Sequence, residues 1–256
     1  MTPTEFRDLV RRGEWSTVNT SACRGHAHAN LVIVPKSLAY EFFLFCHRNP
    51  KPCPVLDVTE PGEYHPHFLA PEADLRTDLP RYRVFENGAI IDEPFDIIKY
   101  WNDNLVAFLL GCSTNFDWRL RDANVQYRYI GDFKTNIDCV PAGCFHGSMV
   151  VSTRLFKTSH DAVRAVQITS RNLAAHGPPV HIGSPHDIGV HDLYHPDMFS
   201  FHEEIQPVEQ DEIIMSWACG VTPQIVALKS NIPFMISHYP GHMFVTDKLS
   251  EELEAM

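Results

Sequence analysis

The chain has 256 residues, of which 44% are hydrophobic and 21% charged, and its formal net charge is −11. A chain of this length buries roughly 70–75% of the surface its unfolded form exposes, so it needs neither disulfides nor a structural metal to hold a core. The acidic balance, with no basic stripe, excludes nucleic acid and an anionic membrane surface as partners, since both are gripped by clustered Lys and Arg.

Residues 1–15 carry Glu5, Arg7, Asp8, Arg11, Arg12 and Glu14, which suits neither the apolar core of a secretory signal nor a transit peptide. Thr4 to Arg12 reads as a short amphipathic helix with Phe6, Leu9 and Val10 inward. Asn30 to Val34 reads as a buried strand stopped by Pro35, and Ser37 as the cap of a helix carrying Leu38, Phe42, Phe45 and Cys46 on one face. Val55 to Val58 is a short strand, and the proline-rich residues 60–81 form a long ordered loop. Tyr82 to Phe85 and Ala89 to Ile91 flank Glu86-Asn87-Gly88, a hairpin signal. Leu105 to Leu110 is an apolar strand, too short to span a bilayer, that runs through Gly111-Cys112-Ser113 toward a helix over Phe116 to Ala123. Val125 to Ile130 and Met149 to Phe156 read as strands, Thr158 or Ser159 caps a helix, and Val180 to Ile182 returns as a strand. Residues 183–197 are a His-, Asp- and Pro-rich loop.

The chain turns on Ile213 to Gln224. An apolar strand runs into Ala218-Cys219-Gly220, and Thr222 then caps a helix with Pro223 at its first position. Such a turn presents backbone N–H groups and the positive end of a helix, both of which favour an anion. Pro233 to His238 is a further strand, with Tyr239 to Phe244 as the loop after it. The Cys112 and Cys219 turns share one pattern, read here as two βα units of one parallel sheet. The expected architecture is α/β, with a mostly parallel or mixed sheet flanked by helices. Residues 1–124 and 178–256 form the main domain, and 125–177 a small inserted α+β lobe. The seven cysteines are odd in number and contain no CxxC pair, which points to a reduced, cytoplasmic setting.

Several blocks resemble the hydro-lyase family that includes D-glutamate cyclase. They are Ala29 to Pro35, Phe45 to Pro54 (Phe-Cys-His-Arg-Asn-Pro-Lys-Pro-Cys-Pro), Asp74 to Pro80, Val166 to Arg171, Trp217 to Gln224 (Trp-Ala-Cys-Gly-Val-Thr-Pro-Gln) and Pro240 to Asp247. The similarity runs from about residue 29 to the C-terminus. It implies an α/β fold with a small second lobe and a lyase that releases water. The best-defined activity in such families is cyclisation of D-glutamate to 5-oxo-D-proline. One departure concerns Asn19-Thr20-Ser21 and His28, which stand where relatives carry Thr-Ala-Gly and Gln.

Closing glutamate into a lactam requires both carboxylates to be held, a proton to leave the amine and another to reach the departing oxygen. His238 and His242 are the acid–base candidates, with Asp247 to orient a histidine. Asn30, Cys112, Ser113, Cys219, Gly220 and Thr222 are candidates for holding substrate, and Arg171 for clamping a carboxylate. Each has a structural alternative: a packed histidine, an inert small thiol, a cap, a surface ion pair. No HExxH or other ligand spacing occurs, so no cofactor is required by the sequence. A divalent metal stays open, with His186, His191, His195, Asp187 and Asp192 as its nearest grouping. The expected partner is a small acidic substrate, and a homo-oligomer is possible. Two other readings stand beside the lyase: a non-catalytic sensor or carrier of a small carboxylate, and a thiol enzyme using Cys219.

Overall fold

The structure, a computed structural model, describes residues 1–254. Helix α1 (Pro3–Arg11) opens with a capping box: Thr2 N–H donates to the Glu5 carboxylate at 2.9 Å, and Glu5 N–H to the Thr2 hydroxyl at 3.2 Å. The chain continues through β1 (His26–Pro35), α2 (Lys36–Arg48), β2 (Val55–Val58), β3 (Tyr82–Glu86), β4 (Ala89–Asp92) and β5 (Leu105–Gly111). Then come α3 (Thr114–Asp122), β6 (Arg128–Asp138), β7 (Ser148–Phe156), α4 (Ser159–Thr169) and β8 (His181–Ile182). Strand β9 (Ile213–Ala218), α5 (Thr222–Lys229), β10 (Phe234–His238) and β11 (Phe244–Leu249) complete it.

The α/β class holds, but the parallel arrangement does not: every strand pairing among the described residues is antiparallel. A seven-stranded sheet runs β2-β5-β1-β10-β3-β4, with β11 also on β1, and a four-stranded sheet runs β6-β7-β9-β8. The reason lies in burial. Continuous apolar runs usually mark parallel strands because both their faces are covered. Here an antiparallel sheet is covered on both faces. On β1, Val32 and Val34 join the core shared with the second sheet, through Phe133, Val151 and Leu155. Leu31 and Ile33 pack on the other side against Leu69, Leu75 and Leu79 of the loop between β2 and β3.

The two cysteine turns are therefore not successive units of one sheet. Strand β5 belongs to the first sheet and β9 to the second. The expected boundary at residue 178 is followed by β8 and β9, which join β6 and β7.

Two helices fasten the sheets to each other. On α3, Asn115 grips β1, accepting from His28 N–H at 2.7 Å and donating to His28 O at 3.1 Å. Two residues later, Asp117 forms a two-pronged bridge with Arg154 of β7, at 3.0 and 2.9 Å. On α5 the pairing is reversed. The Thr222 hydroxyl accepts from Val150 N–H of β7 at 3.0 Å, and Gln224 Nε2 donates to His238 O of β10 at 2.9 Å.

Arg154 is fully buried and Asp117 is its acidic partner. Removing that partner leaves a buried charge uncompensated, which costs about 3–5 kcal/mol. Asp117→Ala should therefore lower the urea unfolding free energy by about that amount, while the double variant Asp117→Leu, Arg154→Met should lose less than the single one. A double variant at least as unstable as Asp117→Ala would show that the charge pair is not the source of the effect.

Candidate active site

Strands β5 and β10 flank β1 on either side and are both antiparallel to it, so they run the same way and end at the same edge of the sheet. Beyond that edge lies a cavity of about 450 Å³, walled on its far side by β6 and the Cys219 turn. Asn30, Cys112, Ser113, Cys219 and His238, all named from sequence, line it. Thr20 also lines it, whereas Asn19 and His28 from the same divergent stretch are structural. Asn19 is clamped by Met243, and His28 by Asn115 and by the Ala22 carbonyl at 3.0 Å.

The remaining sequence candidates lie elsewhere. His242 is buried outside the lining, its Nδ1 against Pro240 O at 2.9 Å and its ring edge-on to Tyr239. Asp247 is exposed and pairs with Arg7 at 2.8 Å. Arg171 is exposed in a separate cleft between α3 and α4. Thr222 is not the helix cap. It is the first residue of α5, and its hydroxyl is used up between Val150 N–H and Cys219 O. Gly220 serves by lacking a side chain, because a Cβ there would fall 1.9 Å from the Asn30 amide nitrogen. Asn30 is thus held with Nδ2 donating to Gly111 O at 2.6 Å. His186, His191 and His195 stay on the surface. His186 Nδ1 lies 3.0 Å from His191 Nδ1, and His195 pairs with Asp192.

Asp132 is a candidate functional group that the sequence reading did not name. It sits on β6, is 5% exposed and lines the cavity. In a regular strand, residues three apart face opposite ways. The β6–β7 register slips between Tyr129 and Gly131, and this bulge brings the Tyr129 hydroxyl to Asp132 Oδ1 at 2.8 Å. Burial pushes the Asp132 carboxyl up to about 6, against the lowering pull of the Tyr129 hydroxyl, the Arg154 charge and the Cys219 thiol. The available signal was an isolated acid beside a glycine inside a strand, Tyr129-Ile130-Gly131-Asp132-Phe133.

His238 is fully buried, and burial lowers its pKa to about 3, so the ring is neutral. Nδ1 lies 3.3 Å from Leu31 N, 3.3 Å from the Ser237 hydroxyl and 3.4 Å from Leu31 O, so it is engaged whichever ring nitrogen carries the proton. Nε2 is buried without a partner. The site therefore offers the unused ring nitrogen of a neutral imidazole. The first turns of α3 and α5 also face this space, and neither N-cap residue, Ser113 or Val221, makes a side-chain cap. The thiols are poor nucleophiles here. Burial pushes Cys112 up to about 11 and Cys219 well above the ordinary thiol range.

These shifts set the pH dependence of stability. His28 and His176 are lowered to about 4 and His238 to about 3, each from 6.5, all chiefly by burial. Unfolding lets them take up protons, so they cost stability as pH falls from about 6.5 toward 4. Asp132, raised from 3.8 to about 6, works the other way over that window, because the folded state holds its proton more tightly. Asp132→Asn should therefore steepen the loss of stability between pH 6.5 and 4.5, read from urea midpoints. Parallel curves for variant and native protein would mean that Asp132 does not titrate from a raised value.

The sequence pattern of the family described as D-glutamate cyclase matches residues 106–247. "Putative hydro-lyase GK2103" of Geobacillus kaustophilus is 49% identical over 99% of this chain and 97% of its own length. "Putative hydro-lyase YcsI" of Bacillus subtilis is 47% identical over the full length of both. Among solved structures, a nitrogen repressor-like protein, MJ0159, from Methanococcus jannaschii aligns over 98% of this chain and 99% of its own, with a TM-score of 0.39 and 10% identity. With its relatives matched end to end and the cavity's Cys112, Asp132, Cys219 and His238 all inside the matched region, the chain belongs to the D-glutamate cyclase family.

Proposed function

We propose that this protein is a lyase that releases water from a small acidic amino acid, and that its reaction is the closure of D-glutamate to 5-oxo-D-proline. One observation carries the reading. A carboxyl that titrates near neutrality, Asp132, shares a cavity with the unused Nε2 of a neutral histidine, His238, and with the starts of helices α3 and α5. A carrier of carboxylates needs the donors but has no use for a buried acid whose ionisation is costly.

Forming the lactam converts an ammonium and a carboxylate into an amide and water. Two protons leave nitrogen, and two arrive on the departing oxygen. A single group near neutrality can carry each in turn. In this scheme Asp132 takes a proton from the ammonium, and the freed amine attacks the γ-carboxyl carbon. Asp132 then shuttles protons from nitrogen to the oxygen whose C–O bond breaks. His238, in the tautomer that carries its proton on Nε2, donates to the oxygen that carries the developing charge. The positive ends of the α3 and α5 dipoles face the carboxylates. Orienting the amine against the γ-carboxyl is itself a large contribution, since a positioned intramolecular attack gains several orders of magnitude. No acyl-enzyme is required, which agrees with two thiols held protonated.

The test is incubation of purified protein with D- and L-amino acids and hydroxy acids, followed by mass spectrometry. D-glutamate should yield a product lighter by one water. Asp132→Asn should lower the rate by about 10²–10⁴-fold. If no acid in the panel loses water, the cavity binds carboxylates without turning them over.

Cys219→Ser should retain activity within about tenfold, because serine keeps the size of the turn and can still donate to Asp132. A loss of several orders of magnitude with the fold intact would instead indicate covalent catalysis.

A further inference from the structure

The cavity is larger and more apolar than glutamate requires. Its volume of about 450 Å³ falls among sites that enclose drug-sized ligands, roughly 300–1,000 Å³, whereas glutamate has only about ten non-hydrogen atoms. Its two ends differ. The inner end, at Asn30 and His238, is polar and buried. The outer end is formed by α3, the segment after it and the chain around Phe201. There Trp118, Val125, Tyr127, Tyr129 and Phe201 supply an aromatic and apolar wall, with Arg121 at the rim.

This outer end is built as a site. Phe201 is 48% exposed yet fixed by edge-to-face contacts with Tyr129 and Phe199, at 4.9 and 4.8 Å between ring centres. Trp118 is 7% exposed, and its indole N–H is buried with no acceptor. Among the described residues, six buried side-chain nitrogen or oxygen atoms lack a partner, and two of them, His238 Nε2 and Trp118 Nε1, belong to residues lining this one cavity. An unpaired buried donor is costly enough that native proteins seldom leave one without a use. The Arg121 guanidinium lies 5.2 Å from the Trp118 ring centre and makes no ion pair with another described residue.

We infer that the outer end is a second subsite, and that beside D-glutamate the site takes, and binds more tightly, an acid with the same head and an aromatic or apolar extension that ends in a hydrogen-bond acceptor or anion. The reacting carboxylate occupies the His238 end. The extension lies along Tyr127, Tyr129 and Phe201, and its terminal acceptor meets Trp118 Nε1–H and Arg121. This inference rests on the lyase reading for which end reacts, but not for the existence of the subsite.

The experiment is calorimetric binding to the full chain of three acids that share one head: D-glutamate, N-benzyl-D-glutamate and N-(para-carboxybenzyl)-D-glutamate. The benzyl group should tighten binding about tenfold, and the added carboxylate by about tenfold more. Trp118→Phe keeps a ring but removes the N–H, so it should shrink the second ratio and spare the first. Phe201→Ala should shrink the first. Mass spectrometry of the same mixtures reports turnover separately. Equal affinities for the three acids, or ratios unchanged in both variants, overturn the subsite even if D-glutamate is dehydrated. Tight binding of the extended acids without loss of water from any of them supports the subsite and overturns the lyase reading. No binding of any acid overturns both.

Discussion

A guanidinium with no access to water must be paired, and Arg154 has one carboxylate to pair with, on Asp117. Its setting makes the pairing strict. Phe116, Trp217, Tyr129 and Tyr127 surround it at 4.8, 5.3, 5.4 and 5.8 Å from their ring centres. Asp117 lies on α3, which leaves the end of β5 in the first sheet, while Arg154 lies on β7 in the second. The ion pair therefore fixes the distance between the sheets, and with it the width of the cavity. It also fixes the start of α3, so that Ser113 and Thr114 border the cavity. Asp132 feels both partners: the Arg154 charge holds its pKa down and the Asp117 charge pushes it up.

The second fastening, through α5, has the same logic with the order reversed. Thr222 bonds the second sheet and Gln224 the first, as Asp117 and Asn115 do from α3. Two helix starts are thus pinned to two sheets at residues two apart, and the turn before each carries a cysteine. Neither helix start carries a side-chain cap; Asn115 and Phe116 N–H of α3 turn back onto the Cys112 and Ser113 carbonyls, and Thr222 and Gln224 N–H of α5 onto those of Cys219 and Val221. A pair of anion-favouring helix ends is in this way combined with a rigid frame, which is what positioning a small charged molecule demands.

Much of this was legible in the sequence, and the limits have physical causes. The helix of Pro3–Arg11, the β3–β4 hairpin, and strands β1, β5, β9 and β10 follow from periodicity and turn residues. Sheet direction did not, because a strand covered on both faces reads the same whether its neighbours are parallel or antiparallel. Strand β11 was not read from the sequence, which placed only its first residue, Phe244, at the end of the loop after His238. Its pairing with the early part of β1 is a long-range contact that no local pattern announces. At the site, strand ends and small-residue turns pointed to Asn30, Cys112, Cys219 and His238. They could not separate His238, whose Nε2 is unused, from His242, whose ring is packed beside Tyr239. Asp132 escaped because its proximity to Tyr129 depends on a bulge, and its proximity to Cys219 on the docking of β7 between β6 and β9.

The distribution of broken rules is informative in itself. Most buried polar groups in this protein are satisfied: Asn19, Asn115 and Thr222 each donate to or accept from defined backbone partners. Against that background, a carboxyl raised by burial, an unused histidine ring nitrogen and an unused tryptophan N–H belong to residues that border one space. The other orphaned atoms, on His26, His28, His176 and Ser250, belong to residues that do not line it. Each break costs stability by itself, and nothing in the packing of the two sheets requires them to coincide. Sequences that specify one fold keep local choices consistent except where function overrides them. Their coincidence supports the proposal that this cavity is the functional site. The orphaned atoms belong to residues at both its buried and its aromatic ends, which supports the proposed second subsite as well.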